Sequence, residues 1–100
     1  MIARRWRGRI PAAKANEYLK LMKDVGLADY RSTQGNRGAW CLHRHEGDIV
    51  QIEMFTLWDD EAAIRRFAGA DMLKAKYYTF DPDFLLELEP EVTQFEVIEP

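Results

Sequence analysis

The chain has 100 residues, 47% hydrophobic and 31% charged, with a formal net charge of −3. That length supports one hydrophobic core, so residues 1–100 read as a single domain. The negative balance disfavours nucleic acid as a partner, no apolar run nears the roughly 20 residues of a membrane span, and a lone cysteine, Cys41, excludes an internal disulfide.

In chain order, residues 2–10 read as a first strand that runs into Pro11. Proline holds the preceding residue extended and suits the first turn of a helix, so a helix is expected to start near Pro11. Ala15, Tyr18, Leu19, Met22 and Val25 recur at the spacing of one buried helical face. Gly26 is a natural stop, with residues 27–30 as an optional further turn. Residues 32–38 form a loop. Residues 39–45 and 49–57 form two further strands around the turn residues Glu46, Gly47 and Asp48. A two-residue loop puts Cys41 and His43 on the face of Ile52 and Met54; a three-residue loop puts Trp40 and Leu42 there instead.

Trp58 closes the third strand, and Asp59 or Asp60 caps a second helix with a buried stripe of Ala63, Ile64, Phe67 and Ala68, ended by Gly69. A further helical piece is expected over residues 71–78. Asp81-Pro82-Asp83 breaks the chain, residues 84–88 allow one more turn, and residues 91–98 give the last strand. The resulting order, β-α-β-β-α-β, is the ferredoxin-like α+β motif: a four-stranded antiparallel sheet with helices on one side. Its other face is left bare, and a two-fold partner is the usual cover, so a homodimer is expected.

Several segments carry a family resemblance. These are Trp6-Arg7-Gly8-Arg9-Ile10-Pro11, Glu17-Tyr18, Gly35-Asn36-Arg37-Gly38-Ala39, Phe55-Thr56-Leu57-Trp58-Asp59, Glu61-Ala62 and Phe67-Ala68-Gly69. Together, over nearly the whole chain, they resemble the antibiotic-biosynthesis-monooxygenase domain. The resemblance implies a dimeric α/β barrel with two sheets back to back and a pocket between sheet and helices in each subunit. Members of that family oxygenate polycyclic aromatics without metal or flavin, degrade haem or oxidise quinols. The haem-degrading branch uses an asparagine, a tryptophan and a histidine where this chain has Trp6, Phe67 and Tyr77, which argues against haem. The oxygenase branch keeps a tryptophan, matched by Trp58, and an asparagine, replaced here by Met54. Fold alone does not deliver function.

Cys41, His43 and His45 alternate on one strand face, but they span about 13 Å and cannot all reach one ion; two of them with Glu53 could, yet a half-buried thiol and two histidines without metal is the expected reading. His43 is the candidate proton acceptor, oriented by Glu53 or Tyr77. Trp58 and Tyr77 join it as catalytic candidates, and Trp6, Met54, Phe67 and Met72 are candidate substrate-binding walls. Arg5, Arg7 and Arg9 share one face and have Glu87, Glu89, Glu91, Glu96 and Glu99 as acidic partners. There is no dinucleotide fingerprint, phosphate loop or nucleophile elbow, which disfavours nicotinamide hydride transfer and serine-hydrolase chemistry, and the family resemblance implies no cofactor. Residues 1–6 lack the apolar core of a secretory leader, and the cytoplasm is the expected compartment. Two readings stand together: a cofactor-independent monooxygenase acting on a small aromatic or quinol-like ligand, and a non-catalytic dimeric binding protein of the same fold. A chamber closed by Met54, Met72 and Phe67 favours the second.

Overall fold

The computed structural model describes residues 1–98. Glu99, one of the acidic partners named for the arginines, lies outside them. The four strands are β1 (Ile2–Pro11), β2 (Asn36–Glu46), β3 (Ile49–Trp58) and β4 (Thr93–Glu96), and they form one antiparallel sheet in the order β2-β3-β1-β4. Two helical layers cover one face, which makes the architecture the ferredoxin-like α+β fold. No helix among the described residues is long and apolar enough to cross a membrane.

Alternation along the central strands sets this polarity. On β3, Val50, Ile52, Met54, Thr56 and Trp58 are buried, whereas Gln51, Glu53, Phe55 and Leu57 are only partly covered. Across on β1, Trp58 faces Ile2, Thr56 faces Arg4, Met54 faces Trp6 and Ile52 faces Gly8. The β2-β3 hairpin turns through the two residues Gly47 and Asp48, with Glu46 opposite Ile49. This turn requires a positive φ, which Gly47 supplies at +63°. Of the two registers open from sequence, it selects the one that puts Cys41 opposite Met54 and His43 opposite Ile52.

The first helical layer continues past Gly26. A 3-10 turn (Ala12–Lys14) leads into α1 (Ala15–Leu21), then a π-helical stretch (Met22–Leu27) and α2 (Ala28–Ser32). The expected stop at Gly26 is therefore corrected. Gly26 is buried, and an added Cβ would lie 3.3 Å from the Met22 sulfur, so the missing side chain lets Met22 fold back over the helix. The second layer is α3 (Glu61–Ala68). Its Asp60 cap accepts a hydrogen bond from the Ala63 amide at 2.9 Å, and Gly69 ends it at φ +94°.

Residues 71–78 do not form the expected helix. Their backbone instead pairs with the chain that follows: the Ala75 amide donates to the Pro90 carbonyl, and the Val92 amide to that of Leu73. A 3-10 turn spans Asp81–Asp83, no helix forms over residues 84–88, and β4 is shorter than residues 91–98.

Two of the three tryptophans on the sheet, Trp6 and Trp40, lie against a glycine two residues away. A Cβ at Gly8 would come within 2.5 Å of the Trp6 ring and 2.7 Å of Leu85, and a Cβ at Gly38 within 2.5 Å of the Trp40 ring. Gly8→Ala overpacks the buried side of the sheet, and the expected loss is about 1–3 kcal/mol in urea unfolding. A change within a few tenths would show that the Trp6 ring has room to move.

Candidate functional site

Between sheet and helices lies a small chamber. Trp6 of β1 and Met54 of β3 form its floor; Tyr18, Met22 and Tyr30 come from the first helical layer; Lys76, Tyr78 and Asp81 come from the irregular segment after α3. Its free volume is about 10 Å³, room for one water at most. Met22 and Met54, both 2% exposed, take up the space that a ligand would need.

The polar groups of the chamber form one network. The Tyr18 hydroxyl donates to one oxygen of Asp81 at 2.9 Å, and the Tyr78 amide donates to the other at 2.7 Å. The Tyr78 hydroxyl donates at 2.7 Å to Asp29, which also receives the Lys76 ammonium at 2.7 Å. Asp81 is 2% exposed. Burial raises its pKa above the ordinary carboxylate value, against the two hydrogen bonds that oppose the rise. Burial and the nearby carboxylates also raise the Tyr18 and Tyr78 phenols, so both stay protonated donors. Tyr30 is pushed up to about 12, mainly by burial, with the Arg4 guanidinium beside it working in the opposite direction.

Of the residues singled out from sequence, Trp6 and Met54 line the chamber. Phe67 stacks on Tyr30 with ring centres 4.2 Å apart, and Trp58 lies 5.7 Å behind it, donating its indole N–H to Thr56. These two rings back the wall and do not face the cavity. Tyr77 meets Trp6 edge-on from outside the lining set and donates its hydroxyl to the Glu89 carbonyl. Met72 is half-buried, and its carbonyl accepts from Gln94. His43 shares the helix-side face of β2 but is exposed, beyond the helical cover. Glu53 cannot orient it, because Glu53 points to the opposite face, where its Oε1 lies 3.2 Å from Arg7 and 3.8 Å from Arg5. Arg9 pairs with Glu87 through two hydrogen bonds of 2.7 and 3.0 Å. Asp81, Tyr18, Tyr30, Lys76 and Arg4 are not among the site residues expected from sequence, where Tyr18 reads as part of a buried helical face and Asp81 as part of a chain break. The available signal was alternation on β1, which separates Arg4 from Arg5, Arg7 and Arg9.

The bare face of the sheet carries Trp40, Leu42 and Phe95, 47%, 50% and 44% exposed, with Arg5 lying over the Phe95 ring. A shallow groove of about 320 Å³ is lined by Arg7, Leu42, His43, Arg44, Gln51, Ile52 and Glu53, so His43 borders this open groove and not the chamber.

Two outcomes follow from the burial of acids. Cys41 is half-buried and its thiol is pushed up to about 11 from 9.0, so iodoacetamide should alkylate it roughly a hundredfold more slowly at pH 8 than a free cysteine peptide. An equal rate would place the thiol in water. For Asp81, the folded pKa lies above the unfolded one, so the folded protein holds more protons between the two values. The stability contributed by neutral Asp81 is present below the unfolded pKa and is lost as pH rises through the folded one. Asp81→Asn removes that dependence. Whatever its fixed cost, the stability of the variant relative to wild type should increase from about pH 4 upward; a flat difference would contradict the raised pKa.

No protein-family model matches the sequence, and no curated protein does. Among solved structures, the chain is similar to that of Rv0793 from Mycobacterium tuberculosis, with a TM-score of 0.67 and 17% identity over 99% of this chain and 96% of that one. It is also similar to an uncharacterized NIPSNAP domain protein from Burkholderia xenovorans, with a TM-score of 0.59 and 22% identity over 98% and 95% of the two chains. Likeness at such identities establishes the ferredoxin-like fold and nothing finer.

Proposed function

We propose that the chain is a cytoplasmic homodimer of the antibiotic-biosynthesis-monooxygenase type that oxygenates a small aromatic or quinol-like molecule without a cofactor. The observation that carries this reading is a buried carboxylate of raised pKa, Asp81, set among Trp6, Tyr18, Tyr30 and Tyr78. A raised pKa makes Asp81 a stronger base than an exposed carboxylate. It takes the role that the sequence suggested for His43, which lies in solvent. A substrate with an acidic methylene gives a proton to Asp81, and the resulting carbanion reduces oxygen directly. One oxygen atom ends as a carbonyl in place of the two methylene hydrogens, and the other leaves as water. The aromatic walls hold the ring plane and exclude bulk water. Entry needs Met22 and Met54 to swing aside, which suits their flexible, unbranched side chains.

A second reading, a binding domain without turnover, is favoured by the small free volume of the chamber. In both readings two copies lay their bare faces together and cover Trp40, Leu42 and Phe95, with Arg5, Arg7 and Glu53 as polar neighbours.

Oxygen uptake with a panel of anthrones and hydroquinones tests the reaction. Wild type should consume oxygen above buffer, His43→Ala should match it, and Asp81→Asn should fall by about a hundredfold or more. Uptake unchanged in Asp81→Asn would overturn the assignment of the base; binding without uptake would leave the second reading. Sedimentation should give a dimer for wild type and a monomer for Trp40→Glu, and a monomeric wild type would contradict the pairing of faces.

A further inference from the structure

Arg4 differs from the other arginines of β1. It is 1% exposed, on the helix side of the sheet, opposite Thr56. Among the described residues it forms no ion pair. One guanidinium nitrogen donates to the Lys74 carbonyl at 2.9 Å, and its Nε has no partner. A fixed charge withdrawn from water at a cost of several kcal/mol normally has a counter-charge against it. The carboxylates near Tyr30 are already engaged: Asp29 holds Lys76 and the Tyr78 hydroxyl, and Asp81 holds the Tyr18 hydroxyl and the Tyr78 amide.

The position of Arg4 says what would complete it. It sits two residues before Trp6 on one face, and Thr56 opposite sits two residues after Met54; Trp6 and Met54 are the chamber floor. Its guanidinium lies 5.5 Å from the Phe67 ring centre and beside the Tyr30 hydroxyl, and Tyr30 lines the chamber. Arg4 is therefore just behind the Tyr30 wall, and Asp81 also lines the chamber.

We infer that Arg4 and Tyr30 form a receptor for a singly charged oxyanion, so that the chamber selects phenols and enols over neutral aromatics of the same shape. This deepens the proposed function and rests on the chamber being the binding site. When Asp81 takes the proton of a bound phenol or enol, the ligand O–H bond breaks and the Asp81 O–H bond forms. The negative charge leaves the carboxylate and settles on the ligand oxygen, where Tyr30 donates a hydrogen bond and Arg4 supplies the counter-charge. A neutral isostere has no charge to place there.

The probes are 4-nitrophenol, whose ionisation is read by absorbance, and nitrobenzene as its neutral counterpart. Bound to wild type, 4-nitrophenol should titrate about one pH unit or more below its free value. Arg4→Met should abolish that lowering while nitrobenzene affinity stays within about threefold, a change of under 1 kcal/mol. Tyr30→Phe, which keeps the ring stacked on Phe67, should also lose the lowering and serves if Arg4→Met does not fold. Bound 4-nitrophenol titrating at or above its free value, or a lowering that survives in both variants, overturns the oxyanion receptor and leaves the chamber reading intact. Binding of neither probe overturns both.

Discussion

The Asp81 carboxylate holds the upper half of the site together. It joins the first helical layer, through the Tyr18 hydroxyl, to the irregular segment, through the Tyr78 amide. Residues 69–92 carry only a single 3-10 turn and an isolated bridge between Lys74 and Glu91. A segment that long without regular structure stays in place only if specific contacts replace the missing ladder. Asp81 supplies a buried one, and removing it would leave the Tyr18 hydroxyl without its acceptor in a dry interior. Further ties are the buried Arg4 to the Lys74 carbonyl, Lys76 and the Tyr78 hydroxyl to Asp29, Lys14 to the Asp83 carbonyl, and the Leu86 amide to the Arg9 carbonyl. The carboxylate that organises the fold here is thus the same group that we propose as the base of the chamber.

The two faces of the sheet divide the work. The helix side is sealed by Ile10, Val50, Ile52, Met54 and Trp58, with Arg4 and Thr56 as polar exceptions. The other side mixes aromatic and aliphatic groups with paired charges, Arg5 and Arg7 sharing the single carboxylate of Glu53. Such a surface suits association with a like surface better than ligand chemistry, whereas the sealed side supplies low polarity and fixed donors.

The legible parts of the fold were those set by local rules. Alternation on β3, the Gly47 turn and the Gly69 stop speak within a few residues and are found where the sequence puts them, and of the two caps left open, Asp59 and Asp60, the structure uses Asp60. The hairpin register needed the turn length, which the residues around Gly47 left open by one. Gly26 misled because tertiary packing outweighed its weak helix propensity: Met22 lies against it while the backbone widens into a π stretch. Residues 71–78 misled because their spacing suits a helix while their backbone groups find partners around Pro90, over a distance that no local pattern records. The site suffered in the same way. Trp6 and Met54 were legible as inward aromatic and thioether groups, but Asp81 stood in an Asp-Pro-Asp sequence that reads as a turn. His43 occupied the right face of β2 and the wrong end of it, since the helices stop covering that strand beyond Cys41.

The central claim is that Asp81 clamps the irregular segment onto the first helical layer and so makes the chamber. Hydrogen exchange at the Tyr78 amide tests it most directly, because that N–H points at the carboxylate and belongs to no helix or strand. The account predicts protection comparable to that of the β1 and β3 amides in wild type, falling to loop-like exchange in Asp81→Ala while those strands stay protected. A Tyr78 amide that exchanges in wild type as fast as an unstructured peptide would contradict it.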